Sequence, residues 1–169
     1  MTPPELDAAG IANVLNKHHV RYVIIGAFAA IAQKAPIPPT RDVDITPDAR
    51  MDNLDRLSDA LRELGARIRT HAVEGGLPFD HDGASLARAE MWNLVCDLGE
   101  FDITFRPAAF DSGYSSLCPR AHQLKVDGVA VWVADLDDVI LSKETAGRPK
   151  DLQVLPALYR FSASRKARG

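Results

Sequence analysis

Apolar and polar residues recur along the chain with spacings that predict helices and strands in alternation. Residues 2–5 have the S/T-x-x-E spacing of a capping box, with proline at the first helical position, and predict a helix that runs to about His18. The apolar run Tyr22–Ile25 predicts an interior strand that ends in a turn at Gly26. The small side chains of Ala27–Ala32 predict a short helix packed closely on that strand.

A second strand follows a proline-rich loop at residues 36–39. Asp42 and Asp44 alternate there with branched apolar residues, and this period of two predicts a strand with one buried face and one polar face. Both aspartates therefore leave the strand on the same side. Leucines at helical spacing then predict a long helix that stops at Gly65.

The second half of the chain predicts two hairpins. Alternating apolar residues at 92–96 and 101–105 predict the first hairpin, with its turn at Leu98-Gly99. The second hairpin covers residues 123–132 and turns at Asp127-Gly128, a favoured two-residue turn.

Two helices are predicted after the hairpins. Asp135 can cap a helix that runs to about Ala146, and Pro149 begins a final helix that is kinked or restarted at Pro156. Residues 72–90 are rich in glycine and aspartate and predict a loop.

This order of elements predicts an α/β fold: a small mixed twisted sheet flanked by helices, with a C-terminal helical segment. We expect one domain over residues 1–169, divided at about residue 133 into a sheet-containing core and the helical segment. Hydrophobic residues make up 46% of the chain and charged residues 25%, a composition that allows a buried core. No apolar run approaches the ~20 residues of a membrane span, and no signal peptide begins the chain. We therefore expect a cytoplasmic protein without membrane contact.

The net charge of −3 is distributed unevenly. Residues 143–169 contain seven lysines and arginines against two acidic residues, a net charge of +5, which leaves −8 for the preceding 142 residues. Such a basic segment is either a solvated surface or a surface that meets phosphate groups.

Asp42 and Asp44 are the first candidates for chemistry. Two residues apart on a strand, their Cα atoms are separated by roughly 6 to 7 Å, so both carboxylates can reach one ion or share two. Oxygen ligands of this kind suit a hard cation such as Mg²⁺.

Asp102 strengthens that interpretation. It leaves the polar face of the run 101–105 and joins the first two carboxylates if the two strands are neighbours. Three clustered carboxylates repel one another unless a cation neutralises them. Glu100 lies two residues before Asp102, on the same face of the strand, and is the alternative third ligand.

Lys143 and Asp151 are candidates from helical spacing. Lys143 continues the apolar stripe of its helix, so it either meets an anion or extends out to solvent. Asp151 lies near the start of the last helix, where a carboxylate is also favoured by the helix dipole.

The order of these motifs resembles the DNA polymerase β-like nucleotidyltransferase superfamily. The chain has a strand, Gly26-Ala27, a short helix, the D-x-D strand that begins at Thr40-Arg41, and a later strand with Asp102. The segments 142–144 and 147–152 resemble the C-terminal motifs of the AbiEii and MenT toxin-like branch. The resemblance covers residues 22 to about 155 and implies a nucleotidyltransferase-like fold.

The resemblance also implies roles for individual residues. Two Mg²⁺ ions, or Mn²⁺ ions, would be held by Asp42, Asp44 and Asp102 beside the phosphates of a nucleoside triphosphate (NTP). The nucleotide-binding residues that it implies are Gly26, Ala27, Thr40, Arg41, Lys143, Arg148 and Asp151. Lys143 would also take part in catalysis, and Asp151 would orient Lys143 or Arg148.

Two positions depart from the family pattern. Ala27 stands where relatives often have serine or a second glycine, which removes a hydroxyl contact to phosphate but keeps the backbone donors. Pro38 stands where many members have arginine.

We expect a nucleotidyltransferase that transfers a nucleotide from an NTP to an acceptor hydroxyl, with RNA, specifically a tRNA end, as the leading acceptor. The toxin-like resemblance adds a possible antitoxin protein as partner. The alternatives are modification of a protein hydroxyl, a metal-dependent phosphodiesterase or nuclease, and a degenerate module that binds nucleotide without catalysis.

Overall fold

Seven strands form one mixed sheet in the computed structural model, which describes residues 4–169. The strands are β1 (Tyr22–Ile25), β2 (Asp42–Pro47), β3 (Arg67–Ile68), β4 (Met91–Cys96), β5 (Gly99–Thr104), β6 (His122–Val126) and β7 (Val129–Val133). Their order across the sheet is β3-β4-β5-β2-β1-β7-β6.

Seven α-helices accompany the sheet in the described part of the chain. They are α1 (Ala8–Lys17), α2 (Ala27–Ala32), α3 (Met51–Leu64), α4 (Gly83–Leu86), α5 (Tyr114–Leu117), α6 (Leu136–Ala146) and α7 (Pro149–Arg168). A short 3₁₀ turn covers Cys118–Arg120. The predicted α/β fold with a mixed twisted sheet is confirmed.

The centre of the sheet is formed by β1, β2 and β5. Strand β1 is buried along its whole length and runs antiparallel to β2, while β2 runs parallel to β5. Asp44 is directly opposite Asp102 in the parallel pair, and Asp42 is opposite Glu100. The predicted neighbourhood of the two acidic strands is therefore confirmed.

Helix packing follows the apolar pattern of the sequence. Helix α1 packs on β7 and α3, while α2 packs on β1, β2 and α6. Helices α6 and α7 pack on each other. The leucines that predict α3, such as Leu54, Leu57 and Leu61, are fully buried, and Gly65 ends the helix in the left-handed conformation. Both predicted hairpins are present as β4–β5 and β6–β7.

The first helix begins later than the sequence predicts. Asp7, not the capping box at residues 2–5, caps α1, and its side chain accepts a hydrogen bond of 2.8 Å from the backbone N–H of Gly10. The backbone N–H of Asp7 donates to the carbonyl of Leu98 at 2.7 Å, so residues 4–7 are tied to the β4–β5 turn and are not helical. Thr2 and Pro3 lie outside the described residues.

The last helix is continuous and does not restart at Pro156. Helix α7 runs from Pro149 to Arg168 with Pro156 inside it. The carbonyl that loses its helical hydrogen bond belongs to Leu152, whose residue is 55% exposed, so water can bond that carbonyl.

Some short elements and one turn differ from the prediction. The short elements β3 and α4 fall in or next to a segment without apolar periodicity, and α5 lies in a stretch between the two hairpins. The turn of the first hairpin is formed by Asp97 and Leu98, one residue earlier than expected, because Cys96 pairs with Gly99. In residues 4–169, no helix has both the length and the apolar character needed to cross a membrane.

Candidate functional site

Three carboxylates meet on the polar face of the central strands. Asp42 and Asp44 come from β2 and Asp102 from the adjacent strand β5. One carboxylate oxygen from each lies within 4.8 Å of the other two, and all three residues are half-buried. The strand pairing places Asp44 opposite Asp102, so the backbone register itself brings the third carboxylate to the first two.

Gly26 lies against this carboxylate triad (Asp42, Asp44 and Asp102). It follows β1 directly and has a φ of 79° and a ψ of −161°, a backbone conformation that is open almost only to glycine. A Cβ atom at this position would collide with Oδ2 of Asp44. Gly26 therefore serves both the turn into α2 and the close approach of backbone to carboxylate. Ala27 is the first residue of α2, as predicted.

The triad is electrostatically strained in the absence of a cation. Burial raises the pKa of Asp44 to about 7, and the charges of Asp42 and Asp102 add to this rise. Burial also raises the pKa of Asp102 above its ordinary value, although Arg69 opposes that rise. Carboxylates whose ionisation is disfavoured by their neighbours gain most from a bound cation.

A basic wall faces the triad and is formed by Lys143, Arg148 and Lys150. Asp151 is fully buried and accepts a 2.7 Å hydrogen bond from Nε of Arg148, while Nζ of Lys143 lies 3.3 Å from its other oxygen. Burial alone would raise the pKa of Asp151, but Arg148 and Lys143 outweigh it and hold the pKa below its ordinary value. Asp151 thus orients both cations. Lys143 is only 8% exposed, whereas the side chain of Arg148 is largely exposed.

A cleft of about 360 Å³ separates the triad from the basic wall. Gly26, Asp44 and Asp102 line one side of it. The other lining residues that carry charge or hydrogen-bonding groups are Asn93, Thr104, Arg106, Ser142, Lys143, Arg148 and Lys150. Carboxylates therefore face cations across the cleft. The carboxylates suit a metal ion, and the cations suit an anion bound to that ion.

Thr40 and Arg41 both lie outside the cleft and line a separate cavity of about 470 Å³. The hydroxyl of Thr40 donates a 3.1 Å hydrogen bond to Oδ1 of Asp42 and so supports the triad directly. Arg41 is exposed and has no such contact with the triad. Every site residue predicted from the sequence, except Arg41, belongs to the triad, lines the cleft or lies next to one of them.

Glu100, the alternative third ligand, is not part of the triad. Its carboxylate lies 3.2 Å from Nη1 of Arg69, and the same guanidinium donates a 2.8 Å hydrogen bond from Nη2 to Oδ1 of Asp102. Asp102 is therefore the carboxylate that joins Asp42 and Asp44.

Six residues of the site are missing from the sequence prediction. Five of them line the cleft, namely Asn93, Thr104, Arg106, Ser142 and Lys150, and Arg69 contacts the triad. Lys150 is detectable in principle, because it lies one residue before Asp151 in the basic segment. Arg69 carries no signal of its own, because nothing in the sequence shows that β3 pairs with β4.

The donor set of the triad fits a hard divalent cation. Three carboxylate oxygens from two rigid strands lie close enough to share one ion or two, and Gly26 leaves the space beside Asp44 free of a side chain. Neither a thiol nor an imidazole is part of the group, which disfavours softer metals.

Comparison with known proteins gives similarity in structure but not in sequence. No model of a protein family matches the chain, and no curated protein matches it. The crystal structure of a candidate nucleotidyltransferase from Thermotoga maritima, TM1012, is similar with a TM-score of 0.54 and 16% identity over 89% of each chain. The solution structure of the antibiotic-resistance factor ANT(2'')-Ia has a TM-score of 0.48 and 12% identity, over 94% of this chain and 91% of that one, which is too low to add to the argument. The chain therefore has a nucleotidyltransferase-like fold, as the order of its motifs predicts.

Proposed function

We propose that this chain transfers a nucleotide from an NTP to an acceptor hydroxyl with the help of Mg²⁺. The observation that carries the proposal is the cleft in which Asp44 and Asp102, with Asp42 beside them, face Lys143 and the other cations of the basic wall. Carboxylates on one side suit divalent cations, and cations on the other side suit the phosphates of the same ligand. The nucleotidyltransferase-like fold supports this reading of the cleft.

The triad residues Asp42, Asp44 and Asp102 would hold Mg²⁺, and Mn²⁺ has the same ligand preference. When bound, the ion supplies charge neutralisation for the triphosphate and lowers the pKa of an attacking hydroxyl. Lys143, which Asp151 holds, would bind the phosphates that leave, together with Arg148. Gly26 and Ala27 remain predicted phosphate contacts through their backbone N–H groups.

The proposed reaction is an in-line substitution at the α-phosphorus. The acceptor oxygen forms a bond to that phosphorus, and the bond from phosphorus to the bridging oxygen of the β-phosphate breaks, which releases pyrophosphate. The proton of the acceptor hydroxyl passes to a base, for which Asp102 is the candidate.

RNA, specifically a tRNA end, is the acceptor that we propose. The support is the exposed basic surface of α7, where Arg160 and Arg168 have no carboxylate partner among the described residues. An exposed basic surface on the same helix that carries Lys150 and Asp151 favours a polyanionic substrate. The role as toxin of a toxin–antitoxin pair, an antitoxin partner and a cytoplasmic location rest on the sequence resemblance alone.

The test is incubation of the protein with each labelled NTP, Mg²⁺ and total RNA. We expect label to appear in RNA with the wild-type chain and to fall at least about 100-fold in Asp42→Asn and Asp44→Asn, because the charge that holds the ion is lost. Asp97→Asn is the matched control, since Asp97 is 94% exposed beside the same sheet and should leave transfer unchanged. No incorporation with any NTP would contradict the proposal.

The same experiment separates the rival functions. A phosphodiesterase or nuclease would shorten RNA, whereas nucleotide transfer lengthens it or adds label to it. Label that appears in protein and not in RNA would identify a protein hydroxyl as the acceptor. NTP binding that Asp42→Asn and Asp44→Asn leave unchanged, without transfer, would identify a non-catalytic module.

A further inference from the structure

Arg69 is the one cation that directly contacts the carboxylate triad in the described part of the chain. Nη2 of Arg69 lies 2.8 Å from Oδ1 of Asp102, and Nη1 lies 3.2 Å from Glu100. The side chains of Asp102 and Glu100 are 13% and 19% exposed, so little solvent screens these ion pairs. The third carboxylate of the proposed metal site therefore already has a positive partner.

The backbone holds Arg69 firmly at this position. Its N–H donates a 2.9 Å hydrogen bond to the carbonyl of Asn93, which extends the β3–β4 pairing by one residue. Nη1 also donates to the carbonyl of Leu94 at 3.3 Å. The guanidinium thus bridges two carboxylates that leave the same face of β5 and is not a loose surface group.

We propose that Arg69 is a positioning residue that occupies the third-carboxylate subsite and limits the nucleotide-free protein to one divalent ion. The inference rests on the proposed function, because it assumes that the triad binds divalent cations. In the absence of nucleotide, Asp42 and Asp44 hold the first ion, while Asp102 is neutralised by Arg69. A second ion on either oxygen of Asp102 would face the guanidinium across a single carboxylate, and the like charges would repel.

Glu100 gives Arg69 a place to remain when Asp102 is released. The guanidinium already contacts both carboxylates, so a small rotation transfers it wholly to Glu100. The side chain of Arg69 is 29% exposed and lines a groove of about 1140 Å³, which leaves room for this movement. A triphosphate brings negative charge that offsets the repulsion, so the second ion binds together with the nucleotide. Arg69 in this way couples occupation of the full metal site to the presence of substrate.

The test counts Mn²⁺ ions bound to the protein without nucleotide, by electron paramagnetic resonance of the free ion and by calorimetry. We expect one ion in the wild type and two in Arg69→Gln, with the second ion bound at least about tenfold more tightly than in the wild type, because the repelling charge is gone. A non-hydrolysable NTP should restore the second ion in the wild type. Neither readout depends on turnover.

Two variants act as controls for charge and for fold. Arg69→Lys keeps the charge and should keep the single-ion behaviour. Arg67→Gln removes a neighbouring arginine of the same groove, one that pairs with Asp97 and not with the triad, and should also bind one ion. Arg69→Gln combined with Asp102→Asn should return to one ion, which places the second ion at Asp102.

The outcomes separate this inference from the proposed function. Equal numbers of Mn²⁺ ions with equal affinities in wild type and Arg69→Gln would overturn the role of Arg69 and leave the nucleotidyltransferase proposal standing. Failure of every folded form to bind Mn²⁺ would overturn both. Circular dichroism and the melting temperature of each variant confirm that it is folded before the ions are counted.

Discussion

At the scale of single residues, two features require glycine at position 26: its backbone conformation and the close approach of Asp44. Gly26→Ala adds strain at a φ of 79° and a collision with Asp44. We expect the free energy of unfolding to fall by about 2 to 4 kcal/mol, of which backbone strain alone accounts for about 1 to 2. Urea unfolding measures the loss, and Mn²⁺ titration should show weaker binding because Asp44 is displaced.

Gly128→Ala is the control that separates the two effects. Gly128 has a nearly identical φ of 81°, but a Cβ atom there meets nothing within 4 Å. This variant should lose only the strain contribution and should bind Mn²⁺ like the wild type. Binding of Mn²⁺ to Gly26→Ala that is as tight as its binding to Gly128→Ala would contradict the collision with Asp44.

Asp44→Asn should stabilise the metal-free protein at alkaline pH. The folded-state pKa of Asp44 is about 7, above its ordinary value of 3.8, so the folded state holds the proton more tightly than the unfolded chain. The stability due to this group is complete below pH ~4 and is lost as the pH rises through 7. We expect Asp44→Asn to be more stable than wild type by roughly 2 to 4 kcal/mol at pH 8 and nearly equal at pH 4.

Unfolding in urea at several pH values measures this difference. Saturating Mg²⁺ should reverse it at pH 8, because only the wild type retains the full carboxylate set. Asp97→Asn, at an exposed position, should show neither effect. A wild-type chain that is the more stable at pH 8 without metal would contradict the repulsion within the triad.

The sequence identifies some of these residues and not others for a clear physical reason. The alternation of side chains along a strand identifies Asp42, Asp44 and Asp102, because a period of two fixes the face on which each side chain lies. Arg69 follows a strand of only two residues and gives no periodic signal. Its contact with Asp102 depends on the pairing of β3 with β4, which only the three-dimensional structure supplies.

At the scale of elements, the junction of α6 and α7 depends on one buried carboxylate. Asp151→Asn leaves Lys143 buried without a negative partner and removes one of the two oxygens that accept from Arg148. We expect a loss of roughly 3 to 5 kcal/mol in the free energy of unfolding, together with weaker NTP binding, because Lys143 is no longer held toward the cleft. Chemical unfolding and nucleotide titration measure the two effects.

Asp137→Asn is the matched control for this junction. Asp137 is an acidic residue in the first turn of α6, and its side chain is 51% exposed beside Lys166. A partly exposed ion pair contributes about 1 kcal/mol or less, so this variant should resemble the wild type in both measurements. A similar loss in the two variants would show that burial of Asp151 is not the cause.

The pattern of apolar residues predicts long elements well and short ones badly. Helix α3 and both hairpins have repeated apolar positions and clear stop signals, and the structure contains all of them. The predicted start of α1 is wrong because a tertiary hydrogen bond from the backbone N–H of Asp7 to the carbonyl of Leu98 outweighs a local capping motif. Helix α7 passes through Pro156 because the freed carbonyl lies at an exposed residue.

At the scale of the whole molecule, the exposed C-terminal end of α7 is basic. The last turns of α7 present Arg165, Lys166 and Arg168 at the exposed end of the helix. We expect replacement of these three by glutamine to weaken RNA binding and to reduce the slope of log K against log salt by roughly 0.7 for each lost phosphate contact with single strands. Fluorescence anisotropy at several salt concentrations measures the slope.

A variant with the same change in net charge is the control. Lys17, Arg88 and Lys125 lie on α1, after α4 and on β6, away from α7. Their replacement by glutamine should leave the salt slope close to that of the wild type. Equal slopes for the two triple variants would contradict a specific role of α7.

The order of strands across the sheet could not be predicted from the sequence. Strand β5 lies next to β2, although α3, β3 and β4 separate them along the chain. The acidic pattern of the two strands predicts that they are neighbours, but it does not predict that β1 pairs with both β2 and β7. Such contacts depend on long-range packing, which leaves little trace in local spacing.

Parallel pairing of β2 with β5 also determines where the chain can change in length. Asp44 stands opposite Asp102 and Ile45 opposite Ile103, so one extra residue between Gly99 and Asp102 would turn an apolar side chain outward and a carboxylate into the core. An extra residue in the loop at residues 70–82 leaves this pairing untouched. Natural variants of the protein should therefore gain and lose residues in that loop while the two acidic strands keep a constant length.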